Sequence, residues 1–195
     1  MKYVIIGGVA AGTKAAAKLK RLDRQAEVKI FTKSEDISYA GCGLPYYIGG
    51  DISTREELIV NSPAKYAGLT GAQVQTGCEA VGLDSAKKQV AIKKSSGEIF
   101  EESYDKLIIA TGAAPFVPPV EGVSLPGVFC VRTPDDAAAI RAYAEENKCR
   151  KAVVCGAGFI GLEVAENLAA LKMDVTVIDA APQIMPNAFD EEMAG

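Results

Sequence analysis

The chain has 195 residues, 49% apolar and 24% charged, with 21 Lys+Arg against 25 Asp+Glu for a formal charge of −4. This is the composition of a folded globular chain, its acidic balance argues against a nucleic-acid partner, and the lack of histidine removes His-based metal sites and any Ser–His or Cys–His catalytic pair. Its five cysteines are scattered with no CxxC, which predicts reduced thiols and a cytoplasmic location, and no apolar run approaches the ~18 residues that would span a bilayer.

Lys2–Ile6 is a β-branched run that ends in glycines, and Ala11–Leu22 is rich in Ala, Lys and Leu and predicts a helix. The glycines and the lysines that follow distinguish this start from a signal peptide. Val28–Phe31 alternates as a second strand and completes a βαβ unit. Thr32 to Asn61 reads as irregular, with a Gly41-Cys42-Gly43-Leu44-Pro45 cluster inside it. Short strands are predicted at Glu79–Leu83, Gln89–Lys93 and Glu98–Glu101, and a buried one at Lys106–Ala110. Prolines and glycines then crowd residues 115–130 as in a linker. Thr133 and Pro134 suit the N-cap and N1 positions of a helix reaching Asn147. A second βαβ unit follows: strand Ala152–Cys155, helix Phe159–Leu171, strand Asp174–Ile178. The expected fold is α/β with two Rossmann-like dinucleotide-binding units, both incomplete in this chain: a first at 1–114 and a second at 131–195.

Gly156-Ala157-Gly158-Phe159-Ile160-Gly161 is a full G-x-G-x-x-G between a strand and a helix. Its glycines suit a tight turn, close backbone approach to a pyrophosphate and close helix–strand packing, and the helix N-terminus offers free N–H groups to phosphates. Asp179 ends the next strand, where a carboxylate can bind a ribose 2′-OH and repel a 2′-phosphate, so NADH is favoured over NADPH. Gly7-Gly8-Val9-Ala10-Ala11-Gly12 is a degenerate form of the same loop, with Val9 in place of the second glycine and Thr32 in place of the terminal acid. Glu35 or Asp36 could substitute for that acid, and a purely structural turn stays open as the other reading. Two such loops suggest two dinucleotides and hydride passing between them.

Cys42 lies shortly after the first βαβ unit, and Pro45 suggests a helix beginning there with the thiol near its N-terminus. Such a location favours the nucleophilic thiolate. The alternative is a small buried apolar side chain, as for most free cysteines; Cys78, Cys130, Cys149 and Cys155 are read that way or as surface thiols, with Cys155 a strand residue facing the core.

The ordered set GGVAAG (7–12), SxxxCGLPYxxG (38–49), ATG (110–112) and GAGFIGLE (156–163) resembles the pyridine nucleotide-disulfide oxidoreductase family. The single Cys42, with no second cysteine a few residues on, is similar to its coenzyme A-disulfide reductase and NADH oxidase branch. The resemblance implies FAD at the first loop, with Thr32 and Lys33 at the adenosine end, Val81 near the adenine and Thr111-Gly112 closing over the flavin. It implies NADH at the second loop, with Glu163 toward the nicotinamide half. Arg21 and Ser38 match positions that contact coenzyme A in the family.

The mechanism so implied passes hydride from NADH to flavin and then electrons to Cys42, reducing coenzyme A disulfide or a related disulfide or polysulfide. Leu44-Pro45-Tyr46-Tyr47 resembles the reductases more than the peroxidases, while Gly41, where reductases often have Asn, keeps polysulfide and persulfide reduction open. An NADH oxidase or peroxidase cycling through a cysteine sulfenic acid is a second reading, and a non-catalytic dinucleotide-binding fragment a third. Family members are much longer, which implies an N-terminal fragment of an enzyme whose parent is a homodimer. No metal, nucleic acid or membrane partner is expected.

Overall fold

The computed structural model describes residues 1–186 and 188–194, so Asn187 and Gly195 of the expected second unit lie outside the described residues. By its internal packing the chain divides into two compact units, Met1–Tyr39 with Ile59–Ala113 and Ala40–Leu58 with Ala114–Gly195.

In the first unit, strands β1 (Lys2–Ile6), β2 (Glu27–Phe31), β3 (Gln73–Gln75) and β7 (Lys106–Ile109) form a parallel sheet in the order β3-β2-β1-β7. β1 is apolar from Tyr3 to Ile6, as suits a strand covered on both faces, whereas β2 carries Glu27 and Lys29 beside its buried Val28, Ile30 and Phe31. One face buries Ile5, Val28 and Ile30 with Ala16 of helix α1 (Ala10–Leu22) and Tyr66 of helix α3 (Pro63–Thr70). The other buries Val4, Ile6 and Phe31 against Cys78, Val90 and Ile92 of an antiparallel sheet made by β4 (Cys78–Asp84), β5 (Gln89–Lys94) and β6 (Ile99–Ser103). Each fully buried aliphatic side chain contributes about 1.5–3 kcal/mol, so this double coverage fixes the strand ends on which the first loop sits.

The second unit contains a 3-10 turn at Gly41–Gly43, helix α2 (Leu44–Gly49), a further 3-10 turn at Arg55–Leu58, and helix α4 (Pro134–Glu146). It continues with β8 (Lys151–Cys155), helix α5 (Phe159–Ala170), β9 (Asp174–Ile178) and the short α6 (Glu191–Ala194). β8 and β9 pair in parallel. The expected cap of α4 is present as a full capping box, Thr133 Oγ1 accepting from Asp136 N–H and the Asp136 carboxylate accepting from Thr133 N–H. Residues 115–130 are largely exposed and without regular structure, Phe116 being 85% exposed.

Three expectations change. The stretch 32–61 is not irregular throughout, since α2 and both 3-10 turns fall inside it. Helix α3 and strand β3 are additions; α3 is capped by Ser62, whose Oγ accepts from Lys65 N–H at 3.2 Å, with Pro63 in its first turn. Cys155 does not face the core: it is exposed, because Lys151, Val153 and Cys155 share one face of the two-stranded sheet with Asp174, Thr176 and Ile178, and no described element covers that face.

Candidate functional site

In the first unit Gly7–Gly12, Thr32, Lys33, Thr111 and Gly112 follow the carboxyl ends of the parallel strands, where ligands bind in open α/β sheets, whereas Arg21 lies at the far end of α1 and Val81 in the antiparallel sheet. Gly7 follows β1 and donates its N–H to Phe31 O at 2.8 Å, and Ala110 follows β7 and donates to Ile6 O at 2.8 Å. The loop is built for close approach. Gly7 has φ +111°, a conformation that favours glycine, and a Cβ there would run into the Ala110 carbonyl. A Cβ on Gly12 would collide with the Gly7 carbonyl oxygen, so α1 begins tight against the strand. Val9 precedes α1, and Ala10 and Ala11 open it with exposed side chains.

Thr32 is buried, its Cγ2 within 3.0 Å of where a Gly8 Cβ would stand, so its side chain packs under the loop. Lys33 is exposed and pairs with Glu79 at 3.0 Å. Val81 sits where the β4–β5 register shifts between Ala80 and Gly82, which leaves it unpaired and 49% exposed. Thr111 and Gly112 are exposed beyond β7, and Arg21 is exposed in the last turn of α1.

Ser38 holds an unusual position, with φ +50° for a residue carrying a Cβ. Three hydrogen bonds fix it there: its N–H donates to Gly8 O at 2.9 Å, its carbonyl accepts from Val60 N–H at 3.2 Å, and its Oγ accepts from Asn61 Nδ2 at 3.3 Å. Asn61 went unrecognised in the sequence, and only the backbone bond beside it marks it out.

The second loop repeats the geometry of the first. Gly156 also has φ +111°, and a Cβ on Gly161 would collide with the Gly156 carbonyl oxygen. Gly158 differs, because a Cβ there meets nothing within 4 Å. That open space beside a helix N-terminus is the cradle a pyrophosphate would fill, so the residues present fit a dinucleotide. Phe159 and Ile160 open α5 with exposed side chains, and Glu163 lies on its second turn, its carbonyl accepting from Asn167 Nδ2 at 2.8 Å.

Asp179 accepts from Ala157 N–H at 2.6 Å through Oδ2 and from Ala181 N–H at 2.7 Å through Oδ1. These backbone donors hold its carboxyl below the usual carboxylate range, so it stays anionic at the edge of the glycine loop.

Cys42 occupies the middle of the Gly41–Gly43 turn, immediately before α2, and is exposed. It belongs to the same compact unit as the second glycine loop, where α2 packs on α4 and α5. Gly49 of α2 lies against Asn167 of α5, which is 5% exposed. Cys78 is buried, which pushes its thiol up, and Cys130 and Cys149 are half-buried. Among the described residues no group of three or more Cys, Asp or Glu is placed to hold a metal ion, and no helix is long and apolar enough to cross a membrane.

The family model for pyridine nucleotide-disulphide oxidoreductases matches residues 1–195. The chain is 40% identical over 194 residues to an NADH oxidase of Methanocaldococcus jannaschii, covering 100% of this chain and 43% of that protein. It is 40% identical over 192 residues to the NAD(P)H coenzyme A polysulfide/persulfide reductase of Pyrococcus horikoshii, covering 98% of this chain and 42% of that protein. Among solved structures, reduced Bacillus anthracis CoADR-RHD superposes with a TM-score of 0.96 at 39% identity, covering 99% of this chain and 35% of that one. The chain therefore spans less than half the length of these relatives. FAD and NAD(P)H are the cofactors that such kinship implies, in keeping with the two loops. The chain belongs to the pyridine nucleotide-disulphide oxidoreductase family.

Proposed function

We propose that this chain is part of a flavin-dependent oxidoreductase that takes reducing equivalents from NADH through FAD to the single redox thiol of Cys42, reducing coenzyme A disulfide or a related disulfide or polysulfide. The observation that carries the reading is the exposure of Cys42 on a turn packed into the same unit as the second glycine loop. FAD and NAD(P)H, when bound, supply hydride and electron-pair transfer.

The protein's own residues perform the rest. The Cys42 thiolate attacks one sulfur of a disulfide, the S–S bond breaks, one thiolate leaves, and a mixed disulfide with Cys42 remains. Two electrons then cleave that mixed disulfide and restore the Cys42 thiolate. The sum is NADH, one proton and one disulfide giving NAD+ and two thiols. Ser38, with its hydroxyl oxygen already accepting from Asn61, keeps its O–H free to donate to an oxygen-rich group such as a coenzyme A phosphate, and Arg21 offers a cation for the same purpose. Asp179, held anionic, accepts from a ribose hydroxyl and repels a 2′-phosphate, which supports NADH over NADPH. The longer parent would act as a homodimer.

The 40% identity to an NADH oxidase favours a second reading, in which Cys42 cycles through a sulfenic acid. Intact mass before and after reductant, with the visible spectrum, separates the two. An adduct of coenzyme A mass, released by reductant and abolished by Cys42→Ser, supports the reductase. A flavin band with no adduct, and sulfenic-acid trapping at Cys42 after peroxide, supports the oxidase. No adduct and no colour supports a non-catalytic scaffold.

A further inference from the structure

We propose that Arg141 is a positioning residue for Cys42: from helix α4 its guanidinium gathers the carbonyls of Tyr47, Ile52 and Ser53, and so fixes the turn on which the thiol rests. The inference rests on the reading of Cys42 as the redox thiol.

Arg141 Nη1 lies 3.3 Å from Tyr47 O, 3.3 Å from Ile52 O and 3.1 Å from Ser53 O. The same side chain donates through Nε to Glu145 at 3.1 Å, and its guanidinium stands 5.0 Å from the Tyr47 ring centroid. Tyr47 O lies in the last turn of α2 and also accepts from Gly50 N–H at 3.2 Å, while Ile52 O and Ser53 O belong to the segment after the helix, so one cation ties the helix end to the chain that leaves it. The two N–H groups of Nη1 are shared among the three carbonyls, leaving Nε for Glu145 and the planar guanidinium for the Tyr47 ring, so a lysine ammonium could replace the first set of contacts and not the other two.

The tie reaches Cys42 through two further contacts. Ile52, whose carbonyl Arg141 holds, places its Cδ1 3.0 Å from where a Cβ on Gly43 would stand, and Leu58 Cδ2 is equally close. Gly43 is the residue after Cys42, and its N–H donates to Ala40 O at 2.9 Å while Ala40 N–H donates to Leu58 O at 2.8 Å. The Cys42 turn is thereby seated on Ile52 and on fully buried Leu58. Asp135, at the start of α4, pairs with Arg55 at 2.5 Å in the turn that ends at Leu58, so one helix grips the segment on both sides. Nothing in the glycine loops or in the thiol itself requires an arginine at 141. Its place is explained by the carbonyls it collects.

The test uses the full 195-residue chain and alkylation by iodoacetamide, followed site by site by peptide mass across the pH range in which thiols ionise. Cys155, also exposed and in the same unit, is the internal reference. In Arg141→Ala the amides of residues 47–53 are expected to exchange about tenfold faster, as on losing hydrogen bonds from a charged donor. The Cys42-to-Cys155 rate ratio is expected to change about threefold or more, with a displaced pH midpoint for Cys42 alone. Arg141→Lys is expected to recover part of both effects.

An unchanged ratio and midpoint, with or without faster amide exchange, overturns the proposal. If the Ala variant fails to fold, Arg141→Lys carries the same test, with a smaller change in the same direction expected and no change overturning it. A wild-type Cys42 that does not exchange with coenzyme A disulfide overturns the reading of function and not the tie, which is scored on alkylation alone.

Discussion

Gly49 of α2 and Asn167 of α5 meet so closely that a Cβ on Gly49 would overlap the Asn167 amide and stand 2.8 Å from Asn167 Cβ. The contact joins the segment that carries Cys42 to the helix that follows the second glycine loop, two stretches far apart in the chain. Gly49→Ala is therefore expected to destabilise the chain by roughly 1–3 kcal/mol, the usual cost of overpacking. A urea midpoint lowered at unchanged slope is the measurement. Asn167→Ala removes the amide but leaves its Cβ, so the double variant should recover part of the loss. Simple additivity would contradict the contact.

The glycines of the second loop separate into two kinds. Gly161→Ala should lower the melting temperature, because its Cβ would strike the Gly156 carbonyl oxygen, whereas Gly158→Ala should leave it nearly unchanged, because that Cβ meets open space. Gly158→Ala should instead weaken binding of NADH about tenfold or more, since the methyl enters the space for the pyrophosphate. Fluorescence titration with NADH, set beside thermal melts of both variants, checks the contrast.

Glu102 provides a pH dependence. Burial opposes its charge, yet hydrogen bonds from Lys2 and Lys29 and the charges of both lysines hold its carboxyl below the usual range. A depressed folded value means that its stabilisation is present above the unfolded value of about 4.3 and is lost as pH falls through the lower folded one. Lys29 shows the converse: burial works against its charge, but Glu102 and Glu27 outweigh it and raise the value. Its contribution is complete below about 10.4 and is lost as pH climbs through the folded value. Glu102→Gln should flatten the acid limb of a stability–pH curve and cost about 1–2 kcal/mol at neutral pH, discounted for the partial exposure of both lysines.

The five thiols should react in an order set by exposure. Cys42 and Cys155 should label first under native conditions, Cys130 and Cys149 more slowly, and Cys78 only on unfolding, since burial both hides its thiol and raises it. Timed labelling with N-ethylmaleimide and peptide mapping reads the order directly. Protection of Cys42 at the level of Cys78 would contradict its place on an open turn.

Asp179→Ser should narrow the preference for NADH over NADPH, because it removes an anion that the Ala157 and Ala181 N–H groups hold charged beside the loop. Parallel titrations with the two nucleotides give the ratio. An unchanged ratio would remove Asp179 from nucleotide selection.

Much of this protein was written in local patterns. The two glycine loops, the strands before them, Asp179 at the end of β9, and Thr133-Pro134 at a helix start are all features whose physics acts within a few residues, and each stands where the sequence places it. Ser62-Pro63 with Gly71 beyond marks α3 by the same cap logic, in a stretch to which the sequence reading assigns no element. Gln73–Gln75 could not be read, because one apolar residue in three carries no period and only its pairing with β2 makes it a strand. The outward face of Cys155 and the bond from Asn61 to Ser38 likewise depend on what covers or approaches each residue in space. Tertiary structure alone decided that residues 40–58 pack with 114–195 and that Arg141 reaches Tyr47, 94 positions away. A helix period or a glycine turn leaves its mark along the chain, whereas a guanidinium meeting three distant carbonyls is a matter of complementary shape and charge between segments, and has no local signature.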